Sequence, residues 1–222
     1  MTRTPKTLIS AATAALVLAA IGASAAQAHT PEVFNKPAEP VQITTLADGA
    51  TTKERHHVID MAGGSLTCAG IEAPATVAGT GATVTSILTT SVTYTGPCLF
   101  GGQTAVVNMN ECNYRFHASG FFDIVCPEGQ PITMGVPATG CDVIITAQAG
   151  KGTVNYTNIA NGDVTLSPGV KGISYTVLGA GCPVVSGIYG GAEYTAGNVI
   201  LAAEKDDGSG TPVNISHSPT VP

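Results

Sequence analysis

Six cysteines, Cys68, Cys98, Cys112, Cys126, Cys141 and Cys182, constrain this chain more than any other feature. Zinc ribbons and thioredoxin-like redox sites need two thiolates on one tight turn, and the C-x-x-C spacing that supplies them is absent. An even set of widely spaced cysteines reads as a disulfide framework when the chain reaches an oxidising compartment. Spacing by itself leaves the connectivity open.

The N-terminus speaks to the compartment. "MTRTPKTLISAATAALVLAAIGASAAQA" has a basic start in Arg3 and Lys6, an apolar run from Leu8 to Ile21, and small residues at Ala26 and Ala28. That order is expected of an export signal over 1–28, with the mature chain starting near His29 and a competing cleavage site after Ala23-Ser24-Ala25. The apolar run is too short to span a bilayer, and no second run of membrane length follows. The expectation is a chain that is secreted or held at the cell envelope. Lys and Arg total 9 against 15 Asp and Glu, and Arg3 and Lys6 leave with the signal, so the mature chain is more acidic than the net −6 of the whole. With no basic cluster, nucleic acid and anionic membrane are excluded as partners.

Gly, Thr, Val and Ala dominate, Trp is absent, and stretches such as "TVTSILTTSVTYTG" are β-branched, with turn residues recurring about every eight to twelve positions. The pattern predicts an all-β chain, an antiparallel β-sandwich-like domain stapled by disulfides. The domain is expected over 55–205, after an extended proline-rich lead-in at 29–54 and before a loose tail at 206–222. Asn161-Gly162 is placed in a tight hairpin turn.

"NECNYRFHASGFFDIVC", residues 110–126, concentrates the distinctive side chains. A hairpin with its tip at Ala118-Ser119-Gly120 sets Tyr114 opposite Ile124, Phe116 opposite Phe122, and Cys112 opposite Cys126. Side chains alternate along a strand, so these six form one apolar face directed to the core, stapled at its base. Asn113, Arg115, His117, Asp123 and Val125 share the other, solvent-facing side, where Arg115 and Asp123 make a cross-strand ion pair. A catalytic use of Arg115, His117 and Asp123 lacks a neighbouring nucleophile in the sequence, so the hairpin reads as scaffold. Residues 68–98 and 141–182 echo one another: a cysteine, a Val-Thr strand ("TVTS", "DVTLS"), a hydroxyl-rich strand ("VTYT", "ISYT"), and a closing cysteine. The echo suggests the pairings Cys68–Cys98 and Cys141–Cys182, each stabilising by roughly 3–4 kcal/mol in the chain-entropy model.

The order "GSLTC … YTGPC … VVNMNECNYRF … VCPEG … GCDVII … GISYT … CP" resembles a group of exported, uncharacterised six-cysteine β-rich proteins of high-GC Gram-positive bacteria. The resemblance covers roughly residues 55–205 and is most specific at Met109–Phe116 and Cys126–Gly129. It implies an exported disulfide-bonded domain and carries no activity with it.

Other candidate sites are few. A free amine on His29 would let that residue chelate Cu(II) through its amine and imidazole nitrogens, with His56, His57, His117 or His217 completing the site. Exported copper-dependent polysaccharide oxygenases and copper carriers use such an arrangement, but the residues after His29 do not resemble theirs. His56 and His57 point to opposite faces of a strand, which opposes shared metal binding and places them at a solvated strand end. Tyr189 and Tyr194 would serve either packing or stacking on sugars, and Asn155 and Asn214 match a glycosylation pattern with no expected use. No G-x-S-x-G elbow is present, and the carboxylates, Asp206 and Asp207 among them, are scattered. The reading is an exported non-catalytic binding or envelope-associated protein, with cell-envelope or extracellular polysaccharide or protein as partner and no cofactor. The alternatives are a copper protein built on His29, a hydrolase with dispersed carboxylates, and a subunit of an exported assembly, the last calling for an exposed apolar patch or an unpaired strand edge.

Overall fold

A computed structural model describes residues 32–47, 57–77, 81–197 and 199–218, and within them all regular structure is strand. The chain enters through β1 (Val33–Asn35) and β2 (Val41–Ala47). β3 (His57–Met61) and β4 (Gly64–Glu72) form a tight hairpin, followed by the short β5 (Ala75–Val77), β6 (Thr83–Val84) and β7 (Ser86–Leu88). β8 (Thr93–Phe100), β9 (Gln103–Asn108), β10 (Asn113–His117) and β11 (Phe122–Val125) come next. They are succeeded by β12 (Ile132–Val136), β13 (Cys141–Ile145), β14 (Gln148–Lys151) and β15 (Thr153–Asn158). The long β16 (Val164–Leu178) leads to β17 (Gly187–Thr195), β18 (Val199–Lys205), β19 (Pro212–Val213) and β20 (Ser216–Ser218).

The all-β expectation holds, but a barrel stands where a sandwich was expected. β13, β12, β9, β8, β4, β3, β17 and β16 are hydrogen-bonded in that order, and β13 pairs back to β16, closing an eight-stranded antiparallel barrel. Strands buried on one face show the same two-residue period in a sandwich and in a barrel, so the pattern could not separate them. The closing seam joins Asp142 to Leu178 and Ile144 to Thr176.

β16 belongs to two sheets. Its C-terminal part lies in the barrel, while Val164–Leu166 pair with β18 in a second sheet ordered β15-β16-β18-β2-β5. The ladder to β17 slips between Val170 and Ile173, beside Gly172 at φ +77°, a bulge that turns the strand from one sheet into the other. A third sheet, β14-β11-β10-β7, carries the stapled hairpin, and a fourth, β20-β1-β6, gathers the two ends of the described chain.

Those ends differ from expectation. The lead-in contributes β1 and β2, and β2 runs antiparallel to β18 from Val41↔Lys205 to Ala47↔Val199. The tail, expected to be loose, forms β20 and pairs with β1 through Ser216↔Asn35 and Ser218↔Val33. Asn35 bonds both serines through its side chain, and His217 lies on the rings of Phe34 and Tyr156.

The interior is filled. Ile59, Met134, Ile145 and Ile173 of the barrel strands line one interior space together with Tyr114, Phe122 and Ile124 from the inner face of the β10–β11 hairpin. The space left among them is about 20 Å³, room for roughly one water. On its other flank the hairpin's Tyr114 and Phe116 meet Leu166, Val199 and Leu201 of the second sheet. The disulfides join Cys68 to Cys98, Cys112 to Cys126 and Cys141 to Cys182. Cys68–Cys98 lies across neighbouring barrel strands, and Cys141–Cys182 ties the start of β13 to the loop after β16. That loop lies so close that a Cβ at Gly181 would come 1.9 Å from the Thr139 carbonyl oxygen.

Candidate functional site

The hairpin has two chemically distinct faces, each built around a histidine. Its ladder sets Tyr114 opposite Ile124, Arg115 opposite Asp123 and Phe116 opposite Phe122. Gly120, at φ +83°, supports the tip, where its N–H donates to the His117 carbonyl. His217 of β20 donates from Nε2 to the Ala118 carbonyl at 2.8 Å, so the chain's last described strand fastens this tip.

On the outer face, Asp123 is not the exposed partner that a solvent-facing side implies. It is 8% exposed, because β14 lies alongside and donates the Gly150 N–H to Oδ1 at 2.8 Å. Its Oδ2 accepts from His117 Nε2 at 2.8 Å, while Arg115 Nη1 stands at 3.7 Å. Burial opposes ionisation of Asp123, but the bonds from His117 and Gly150 and the nearby charges of His117 and Arg115 outweigh it and hold the carboxyl below the usual value. The dominant partner of Asp123 is therefore His117, with Arg115 secondary.

The same face contains a residue that sequence reasoning missed. β7 pairs with β10 so that Ser86 lies opposite His117 and Leu88 opposite Arg115. Ser86, His117 and Asp123 are thus neighbours on one sheet face, although the serine lies about thirty residues upstream in the chain. Among the described residues no hydrogen bond links the Ser86 hydroxyl to the ring, whose Nε2 is held by Asp123. Only the pairing of β7 with β10 brings the hydroxyl here, and no local motif announces it.

The inner face leads to the second histidine. His57 was expected at a solvated strand end, yet it is 4% exposed. The cause is tertiary: β3 is clamped between β4 and β17, with His57 opposite Cys68 and Tyr194 reaching across from β17. His57 Nδ1 and the Tyr194 hydroxyl share a hydrogen bond at 2.7 Å, and their rings stack at 6.1 Å. Burial depresses the His57 pKa to about 4, so the ring is neutral. Beside it the Tyr94 and Tyr114 hydroxyls bond each other at 2.8 Å. Burial pushes Tyr94 up to about 12 and drives Tyr114 and Tyr194 well above the ordinary phenol value. Tyr194 is accordingly a core residue, not a sugar-stacking one. Tyr189 is half-buried, stacked on Tyr175 at 5.5 Å.

His29 and His56 lie outside the described residues. Among the described residues no three His, Cys, Asp or Glu side chains gather as metal ligands, and no helix is long and apolar enough to cross a membrane. Asp207 lies in the turn after β18, and Asn155 and Asn214 are exposed.

Most of the exposed large apolar side chains are found on and beside the barrel's outer wall, with Phe121 at the hairpin tip as another. Val185 is 81% and Ile188 84% exposed, with Leu178 and Val106 at lesser but substantial exposure. The ladders set Thr133, Ile144, Thr176 and Ile188 in one row across β12, β13, β16 and β17. No protein-family model, curated protein or solved structure matches the chain.

Proposed function

We propose that this chain is an exported, non-catalytic binding protein that works through its outer surface, engaging envelope or extracellular polysaccharide or protein. The observation that carries the reading is the filled barrel: the interior is occupied by Ile59, Met134, Phe122 and Ile173, so recognition falls to the outside. Three disulfides in a chain with a signal-like N-terminus support the exported part. The exposed apolar side chains Ile188 and Val185 support the surface part.

The test starts with fractionation of the producing cells and the intact mass of the recovered protein. The expected chain begins near His29, takes up alkylating reagent on its cysteines only after reduction, and is retained saturably by isolated envelope. Recovery from the cytosol with free thiols overturns export. A second arm treats the purified protein with a fluorophosphonate probe. Labelling at Ser86 that disappears in His117→Gln would overturn the non-catalytic reading and make the outer hairpin face a hydrolytic site.

A further inference from the structure

The stapled hairpin ends in an exposed aromatic ring. Phe121 closes the ladder opposite His117, whose N–H donates to the Phe121 carbonyl, and alternation from Asp123 sets its side chain on the outer face. It is 52% exposed, in contrast to Tyr114, Phe116 and Phe122, whose rings pack together on the inner face.

The polar side chains beside this ring have unspent hydrogen-bonding capacity. Asp123 is committed to the Gly150 N–H and to His117 Nε2. With Nε2 donating to that carboxylate, Nδ1 of the neutral His117 ring is left as an acceptor. The Ser86 hydroxyl, opposite His117 on β7, makes no hydrogen bond among the described residues. Arg115 has its nearest carboxylate oxygen at 3.7 Å, beyond hydrogen-bond reach, which leaves its guanidinium donors unused. Asn113 Oδ1 is buried without a partner, and the amide need give up only the exposed bond from Nδ2 to the Glu111 carbonyl to turn that oxygen outward.

We infer that this outer face binds a neutral, hydroxyl-rich glycan, with one sugar ring stacked on Phe121 and hydroxyls bonded along Ser86, His117, Arg115 and Asn113. The inference rests on the reading of the protein as one that acts through its outer surface, and gives that reading a site and a ligand class. Arg115 can only donate, Asn113 Oδ1 and His117 Nδ1 can only accept, and Ser86 does either. A hydroxyl donates and accepts, so it satisfies all four. A carboxylate or sulfate only accepts, leaves Asn113 and His117 unmatched, and is repelled by a chain of net −6. The C–H bonds on one side of a sugar ring are weakly positive and pack on the negative face of an aromatic ring. Alternate side chains on β10 stand about 6.6 Å apart, so the row from His117 to Asn113 spans about 13 Å, longer than a single sugar ring. A protein strand would need an open edge, and β10 and β11 each have neighbours on both sides. Half a dozen side chains also fall well short of the roughly 20–30 residues a side of a stable protein interface.

The experiment is frontal affinity chromatography of the mature chain and of Phe121→Ala, Arg115→Ala and Ser86→Ala. The columns carry polysaccharide released from the producing cells' envelope and divided by anion exchange into neutral and acidic fractions. The expected result is retention by the neutral fraction, weakened about tenfold by Phe121→Ala or Arg115→Ala and about threefold by Ser86→Ala. Phe121 and Arg115 are substantially exposed, so their variants should keep the wild-type melting curve, measured alongside. Absence of retention by the neutral fraction overturns the inference, as does retention indifferent to both Phe121→Ala and Arg115→Ala. Retention by the acidic fraction alone also overturns it, and so does capture of an envelope protein by this face in place of glycan. If intact envelope retains the chain and its neutral polysaccharide does not, the glycan site falls while the surface-binding reading stands. If the neutral fraction binds at this face and the chain is recovered from the cytosol with free thiols, export falls while the site stands.

Discussion

His57 and His117 are held by opposite means. His57 lies within the core with a phenol as partner, and desolvation keeps it neutral. His117 lies on the outer face of the hairpin with a carboxylate as partner, about a third exposed by side chain. One imidazole is kept neutral by what has been removed from around it, while the other helps hold the carboxylate beside it ionised. Burial contributes to stability only while the buried form is the right one, so the two sites should fail under different conditions.

The largest effect should come from the aromatic packing on the hairpin's inner face. Phe122 is 2% exposed and touches the rings of Tyr114 and Phe116. Phe122→Ala should cost about 3–5 kcal/mol in urea unfolding, whereas truncations on the outer face should not approach that.

Next comes acid. With a folded pKa of about 4 against 6.5 unfolded, the unfolded state takes the proton first, so the contribution of neutral His57 is complete above pH 6.5 and lost as pH falls toward 4. The loss should approach about 3 kcal/mol, and His57→Phe should flatten the profile across that window. Asp123 behaves differently. Its carboxyl is held below the ordinary 3.8, so its contribution is present above that value and fades only as pH falls through the lower folded one. A stability curve with a single loss below pH 4, unchanged by His57→Phe, would erase the contrast.

Smaller effects sharpen the outer site. Asp123→Ala strands the Gly150 N–H and deprives His117 of its acceptor, and should cost about 2 kcal/mol. Arg115→Ala should cost less than about 1 kcal/mol, because its guanidinium stands 3.7 Å away and is partly solvated. Equal costs at the two positions would return Arg115 to the role of principal partner.

The same contrast explains what could be read from the chain. The register of residues 112–126 was legible because a short hairpin is a local object: two cysteines, a glycine tip and alternating aromatics leave little freedom in the pairing. The outer cluster was legible in membership but not in detail, since the burial of Asp123 comes from β14 and the neighbour of His117 comes from β7. His57 was misjudged for the same reason at longer range. Its cover arrives from Tyr194, 137 residues away. The tail was misjudged because "NISHS" is polar, and its order depends on Asn35 and on the Ala118 carbonyl meeting it. Barrel and sandwich differ by one seam between β13 and β16, which no local alternation encodes.

The divided membership of β16 bears on how the molecule comes apart. A hinge between independent lobes would let one melt while the other stays native. Here fifteen consecutive residues serve as barrel stave at one end and sheet strand at the other, so fraying either half pulls on the backbone of its neighbour. Calorimetry should accordingly record a single endotherm, with enthalpy matching the van't Hoff value, and no half-molten species in which the barrel has outlived its appended sheet.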